Sequence, residues 1–411
     1  MPFPLLNLAN KSTEASHVHP SDLSHDFTNN KQVTPPPLVI LEIQGLKFLK
    51  GGLIASGAYG NVYFASLIHD SDRPVCQLAL KVVKVVKVIL REEAEKAAEP
   101  PEDIAQDSAD IILEEIEKMR HLPDGIAPNI SAMGLIKGPR FDGQQGILMD
   151  AYKEDLYFYS SSALKAGIDK SYLENSVVIM KQAVALLSRL HENGFVHGDF
   201  KPKNIVYNEE GDVRIIDYGT LFKGAREDYS ELTYKYIPPE SITRLYDKAC
   251  SSVDRSLDIW SFGISLAEVL FFEPIFYKTG SPFRTYIRNV LRLLGKPPGE
   301  FISINNGREL LYFRDFKRGL ACKKEPLKKY SETRSTEAVK DVLKELIRNR
   351  LKDLKIVLDD EAQISGQSSK DFIENLADLL SKIFRWKPAE RLTAEQMLEH
   401  PFFRESVRSQ L

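Results

Sequence analysis

The chain of 411 residues is poor in cysteine, with three, and in tryptophan, with two. Cys76, Cys250 and Cys322 are odd in number, far apart and in no metal-ligand spacing. Neither a disulfide framework nor a zinc site is implied, and a reducing compartment is the expectation. No stretch approaches the roughly 18 uninterrupted apolar residues of a membrane span, and the opening MPFPLLNLANKSTEA lacks the basic start and apolar run of a secretory signal. The expectation is an intracellular protein, cytoplasmic or nuclear, with no membrane partner. An excess of one charge is missing too: 55 basic residues face 58 acidic ones, for a net charge of −3. Direct nucleic-acid binding through bulk positive charge is therefore not expected. What remains is a globular composition, 43% hydrophobic and 27% charged, long enough at about 150 residues per domain for two or three domains.

Residues 1–36, rich in Ser, Thr, Asn, His and Pro, read as a disordered N-terminal arm, and His17, His19 and His25 within it as solvated. Residues 38–41, 46–49, 60–68 and 78–88 are short, apolar and alternating, which suits antiparallel strands. Residues 91–103 then carry six acids against two bases, part of an acidic insertion near 91–107 that either decorates its lobe or docks a regulator. A helix is expected over 109–122, where Ile112, Ile116, Met119 and Leu122 share one face. After Asp150 helical patterns dominate, at 173–193, 257–272, 283–294, 337–354, 371–384 and 393–400, and strands are few. The pattern divides the chain into a strand-rich lobe over 37–150 and a helical lobe over 151–411, with a cleft expected where they meet.

Chemistry concentrates in a few segments. Ile54-Ala-Ser-Gly-Ala-Tyr-Gly-Asn-Val62 lies among strand signals, and Gly57 and Gly60 would let backbone amides approach a polyphosphate; a plain hairpin turn is the alternative. Lys81 ends the apolar strand segment Leu78-Ala-Leu-Lys81, where a buried ammonium needs an anion. Glu115, beside the apolar face of the following helix, is the candidate, whereas Glu114 and Glu117 read as solvated. Phe195 to Val206 and Val213 to Gly219 then place Asp199, Lys201 and Asn204 in one polar loop and Asp217 at the end of a short strand. A carboxylate to orient a hydroxyl, an amide and a carboxylate to hold Mg2+, and a lysine to offset developing charge are what phosphoryl transfer requires.

With these motifs in this order, the chain resembles the eukaryotic-type protein kinases from about Gly45 to Phe403. The resemblance implies an α+β, bilobal protein-kinase fold: an antiparallel β-rich N-lobe with one main helix, and a mostly helical C-lobe. It implies ATP and Mg2+ as cofactors and an ATP-dependent kinase acting on serine or threonine hydroxyls of protein substrates. Ile54, Ala55, Ser56, Gly57, Ala58, Tyr59, Gly60 and Val62 match the glycine-rich loop region, with Ala55 where the family's first glycine stands. Lys81 matches the phosphate-binding lysine and Glu115 its partner; the resemblance makes Asp199 the residue that orients the hydroxyl and accepts its proton, with Lys201 near the transferred phosphate. Asn204 and Asp217 match the metal-binding residues. Ile54, Val62, Ala79 and Val206 would sandwich the adenine, Met149 matches the gatekeeper, and Asp150 to Tyr152 supply backbone hydrogen bonds to the base. Pro238-Pro-Glu240 resembles the end of the activation segment and Arg391 the buried partner of Glu240, while His197 matches a packed structural residue rather than a base. Lys201 followed by Pro202, with Thr233 seven residues before Glu240, resembles the serine/threonine branch.

Some features depart from the family pattern. Gly198 stands where many members carry the arginine that pairs with an activation-segment phosphate, so activity without that phosphorylation is expected. Tyr218 replaces the usual phenylalanine and keeps an aromatic plug. Residues 283–298 resemble the helix and Leu-Gly-x-Pro turn of the group holding cyclin-dependent, mitogen-activated and splicing-factor kinases, and 300–370 resembles that group's insert. Within the insert, 317–329 has six bases and one acid, which fits a nuclear-import signal, an acidic-partner site or a solvated loop. A regulatory protein at the acidic insertion or at 300–370 is a further expected partner. The alternatives to a protein kinase are a pseudokinase scaffold, against which Lys81, Asp199, Asn204 and Asp217 argue, and a small-molecule kinase, disfavoured by Glu240 and Arg391.

Overall fold

A computed structural model describes residues 39–56, 60–68, 74–83, 114, 115, 117–226, 233, 235–243, 253–272, 275, 276, 283–314, 322–356 and 363–404. The arm at 1–36, the acidic insertion, and Gly57, Ala58 and Tyr59 lie outside the described residues, as do 84–88 of the expected fourth strand and the start of the 109–122 helix. The chain forms two compact units, Met1–Leu156 with Lys203–Gly219 and Tyr157–Pro202 with Thr220–Leu411. The first is antiparallel and strand-rich and the second mostly helical, which is the two-lobed α+β class of the protein kinases.

In the first unit, β1 (Val39–Ile43), β2 (Leu46–Ser56), β3 (Gly60–Ile68), β4 (Pro74–Val83), β5 (Ile130–Leu135) and β6 (Gln145–Asp150) form one sheet in the order β1-β2-β3-β4-β6-β5. Side chains alternate across a strand, so β4 sends Leu78, Leu80 and Val82 into one core with Leu41, Ile43, Phe48 and Leu148. Ala79 goes to the opposite face, packed with Ile54, Val62, Ile147 and Met149. Lys81 shares the phase of Ala79 and lies in register between Val62 of β3 and Ile147 of β6. The alternation that makes β4 a strand therefore delivers an ammonium to a small apolar face. Strand β2 runs past Leu49 through Gly51 and Gly52 to Ser56, farther than its apolar pattern predicts. The register shifts around Leu53 absorb the two glycines, and a side chain at Gly51 would strike Phe64. A second small sheet pairs Ile205–Tyr207 with both Val213–Ile215 and Glu154–Asp155.

The second unit is built on the helices Lys170–Glu192, Ser256–Phe271, Thr336–Asp353 and Ser369–Ile383. Ser256–Phe271 is buried on all sides, and at Gly263 an added Cβ would come within 2.6 Å of Ile383, so only glycine lets the chains approach this closely. The 300–370 segment holds more than the one helix that its sequence predicts. Ser303–Asn305, Arg308–Arg314 and Cys322–Pro326 form a three-stranded antiparallel sheet ahead of Thr336–Asp353. The last of these strands, Cys-Lys-Lys-Glu-Pro, lacks apolar alternation in its sequence, and its Glu325 is buried. Among the described residues no helix is long and apolar enough to cross a membrane.

Candidate active site

In the strand-rich unit, Lys81 Nζ meets Glu115 Oε2 at 2.7 Å, with side chains only 4% and 8% exposed. Glu115 sits on the helical residues 114, 115 and 117–120, where its neighbours Glu114 and Glu117 are exposed and pair with Lys118 and Arg120. The phase of that helix thus selects one acid of three for the interior. Ile54, Val62, Ala79, Met149, Tyr152 and Val206, six of the residues expected around an adenine, gather in one buried cluster completed by Ile147 and Ile216. Burial, with Asp150 and Asp212 nearby, pushes the Tyr152 phenol up to about 12 against the opposing pull of Arg214, so it stays neutral at physiological pH. Asp150 closes β6 and accepts from Asn129 Nδ2 at 2.7 Å. Ala55 and Ser56 end β2, in register with Val62 and Asn61, and Gly60 opens β3.

Asn204 and Asp217 belong to the same unit. Asn204 is buried, and its carbonyl accepts from Ile216 N at 2.9 Å, which extends the pairing of Ile205 with Ile215 and draws the two segments together. Asp217 holds φ at +69°, a left-handed conformation that costs a non-glycine residue about 1 kcal/mol or more and that clusters at functional sites. Tyr218 is fully buried, with its hydroxyl donating to Ile215 O at 2.9 Å, so the oxygen added relative to phenylalanine is satisfied. Burial, and secondarily Glu115, holds its pKa well above the ordinary value. Lys118, which the sequence reading passed over, donates to Gly219 O at 2.9 Å from the helix that carries Glu115; its position three residues after Glu115 was the available signal.

In the helical unit, the loop with Asp199 is fixed by its backbone. Asp258 is completely buried and accepts from His197 N at 2.8 Å and Gly198 N at 2.9 Å, and it also meets His191 Nε2 at 2.9 Å. Asp199 N donates to His197 Nδ1 at 3.2 Å, so the imidazole braces the loop. Lys201 Nζ donates to the Asp199 carboxylate and to Thr233 Oγ1 at 3.0 Å. Gly198 has φ at +86°, a conformation natural to glycine and strained for a residue with a side chain. Described residues on both sides of Thr220 make several hydrogen bonds within this unit. Thr220 Oγ1 donates to His197 O at 2.9 Å, Phe222–Lys223 pairs with Phe195–Val196, and Arg226 and Val253 exchange two backbone hydrogen bonds. Lys235 Nζ and Tyr236 OH both bind the Glu268 carboxylate, at 2.6 and 2.5 Å. Glu240 is gripped by Arg391 through two parallel bonds of 2.7 and 2.6 Å. Tyr229, Ser230 and Tyr234, further hydroxyl residues between Asp217 and Glu240, lie outside the described residues.

The site candidates thus fall into two sets, Lys81, Glu115, Asn204, Asp217 and the apolar cluster in one unit and Asp199 and Lys201 in the other. The model of the protein kinase domain matches residues 48–403. The chain belongs to the protein-kinase family. This kinase is similar to a cyclin-dependent kinase 4 homolog of Caenorhabditis elegans, 23% identical over 86% of this chain and 70% of the relative. It is similar to an extracellular signal-regulated kinase 1 of Candida albicans, 27% identical over 54% of this chain and 47% of the relative. The serine/threonine-protein kinase ppk23 of Schizosaccharomyces pombe is 23% identical over 71% of this chain and 66% of its own length. The kinase spans about half the length of the mitogen-activated and extracellular signal-regulated relatives it matches. Family and relatives together support ATP-dependent protein-kinase activity in general. Cyclin-dependent and mitogen-activated kinases are in the group that residues 283–298 resemble.

Proposed function

We propose that the chain transfers the γ-phosphate of ATP, with Mg2+, to serine or threonine hydroxyls of protein substrates. The observation that carries this reading is the Lys201 ammonium shared by Asp199 and Thr233 Oγ1, which brings together Lys201 and Thr233, the residues whose placement in the sequence resembles the serine/threonine branch. The apolar cluster around Ala79, Met149 and Val206 takes the adenine, and Lys81, steadied by Glu115, binds phosphate oxygens. Asn204 and Asp217 offer an amide oxygen and a carboxylate, the sparse hard-oxygen donor set that suits Mg2+. Among the described residues no cluster of three or more His, Cys, Asp or Glu side chains is formed for a metal, which is compatible with an ion that takes its other ligands from phosphate and water. Bound there, Mg2+ supplies charge neutralisation at the phosphates. Asp199 orients the acceptor hydroxyl and takes its proton as the new P–O bond forms and the bond to the β-phosphate oxygen breaks, releasing ADP; Lys201 offsets the charge on the moving phosphoryl group.

The same reading extends to regulation: the segment from Asp217 to Glu240 holds its active arrangement without phosphorylation. Gly198 has no side chain to pair with a phosphate, and Thr220, Arg226, Thr233 and Lys235 tie the segment through ordinary hydrogen bonds. Phosphatase-treated protein should keep its activity, and restoration of a lost activity by rephosphorylation at one site would overturn this part. For the reaction itself, labelled ATP is offered with peptide libraries whose acceptor is Ser, Thr or Tyr and with a panel of hydroxylated metabolites. Label should enter Ser and Thr peptides, and Asp199→Asn should reduce it by about a thousandfold. Labelling confined to tyrosine or to metabolites, or no turnover by the unmodified chain, would overturn the assignment.

A further inference from the structure

The basic run at 317–329 has a single acid, Glu325, and the fold makes that acid the centre of a cation cluster drawn from separate segments. The Glu325 side chain is fully buried on the strand Cys322–Pro326. Arg284 Nε donates to it at 2.9 Å and Arg288 Nε at 3.1 Å, both from the helix Phe283–Leu294. Lys329 Nζ lies at 2.7 Å and Tyr330 OH donates at 3.0 Å. Burial alone would raise the Glu325 pKa, but the bonds from Lys329, Arg288 and Tyr330 outweigh it and hold the carboxyl at about 2. Arg292 continues the arginine stripe one turn further, exposed and close enough to act on Tyr330.

One buried carboxylate needs one well-placed cation to remain charged. Here three cations converge on it and leave a local excess of two positive charges. All three stay open to solvent, with side chains 41%, 39% and 55% exposed for Arg284, Arg288 and Lys329. Each arginine uses Nε on Glu325, and Arg284 gives Nη2 to Lys324 O at 2.6 Å. Among the described residues, both Nη atoms of Arg288 and Nη1 of Arg284 make no hydrogen bond. Nearby, Glu309 and Glu332 share one lysine, Lys296, at 3.0 and 2.7 Å and leave one negative charge, which the exposed Arg292 offsets.

We propose that this cluster, Arg284, Arg288, Arg292 and Lys329 around Glu325, docks a phosphoserine or phosphothreonine side chain of a partner peptide. A phosphomonoester carries about −1.5 to −2 charge at pH 7, which matches the residual charge. Free guanidinium forks bind phosphate oxygens in pairs. Partly exposed cations grouped around one buried carboxylate present a compact positive surface, which fits a compact dianion better than carboxylates strung along a peptide. The assignment rests on no catalytic step, so it stands or falls separately from the proposed reaction.

The test is fluorescence anisotropy with the full chain and three labelled peptides that differ at the centre: one phosphoserine, one serine, or a run of glutamates. The phosphopeptide should bind about tenfold or more tighter than the serine peptide, the factor expected of one charge-assisted hydrogen bond. Arg292→Gln should weaken it about threefold. A triple variant, Arg284→Gln with Arg288→Gln and Glu325→Gln, removes the forks together with the carboxylate they serve and should abolish the preference while thermal melting reports a folded chain. If the triple variant does not fold, Arg288→Lys, which keeps Glu325 paired but loses the fork, takes its place with Arg292→Gln. The proposal is overturned if the phosphopeptide has no advantage, if the advantage survives the triple variant or is undiminished in both single ones, or if the glutamate peptide binds equally well.

Discussion

In the strand-rich unit, Lys81 is held by one side chain, Glu115 on a helix 34 positions away, whereas in the helical unit the Asp199 loop is held by backbone amides that donate to buried Asp258. The two arrangements answer to different changes. A side-chain pair depends on both partners and on where the helix lies. An amide-to-carboxylate anchor is indifferent to the side chains of the loop it fixes, and this explains how Gly198 can replace arginine while the loop keeps its tether through Gly198 N. The same helix that carries Glu115 also reaches Gly219 O through Lys118, so its position bears on both Lys81 and the Asp217 segment.

The sharpest way to break this contrast is Asp258→Ala. It strips the acceptor from two buried amides and from His191, and should cost at least about 3 kcal/mol of stability in urea unfolding. Lys81→Met should cost less, about 1–3 kcal/mol, by leaving Glu115 buried and unpaired. The double variant Lys81→Met with Glu115→Leu should recover that stability while calorimetry still finds no ATP binding, because an apolar pair can replace a buried ion pair in packing but not in charge. Equal losses for Asp258→Ala and Lys81→Met would erase the distinction between the two units. Gly198→Ala is the smallest perturbation: it keeps the amide and its bond to Asp258 and adds only left-handed strain, about 1–2 kcal/mol. A loss as large as that of Asp258→Ala would mean that the side-chain space at 198 matters more than the anchor.

Much of the site was legible because its signals are local. The alternation Leu78-Ala-Leu-Lys81 assigns the lysine to the face opposite the leucines, and helical phase singles out Glu115 from Glu114 and Glu117. The link from Glu240 to Arg391 was legible only through resemblance to the family, since 151 positions separate them. The sheet within 300–370 was not legible, because strand Cys322–Pro326 is charged along its length and reads as solvated until the arginines of another helix are seen around Glu325. The tie from Lys118 to Gly219 was missed for a related reason: a lysine beside a glutamate one turn away looks like an ordinary surface pair.

Taken by itself, the sequence determined the element types over much of the chain outside 300–370, the faces of several strands and helices, and the carboxylates, amide and lysines available to a candidate site. These follow from periodicity and residue chemistry, which act within a few residues. The pairing of Lys81 with Glu115 was expected from the sequence, but only the tertiary structure decided that Gly198 N meets Asp258 and that Arg284 and Arg288 meet Glu325. Coulombic attraction and desolvation depend on distance in space, so Glu325, the one acid in a run of six bases, lies once folded as a buried anion beneath two partly exposed arginines of another helix and Lys329.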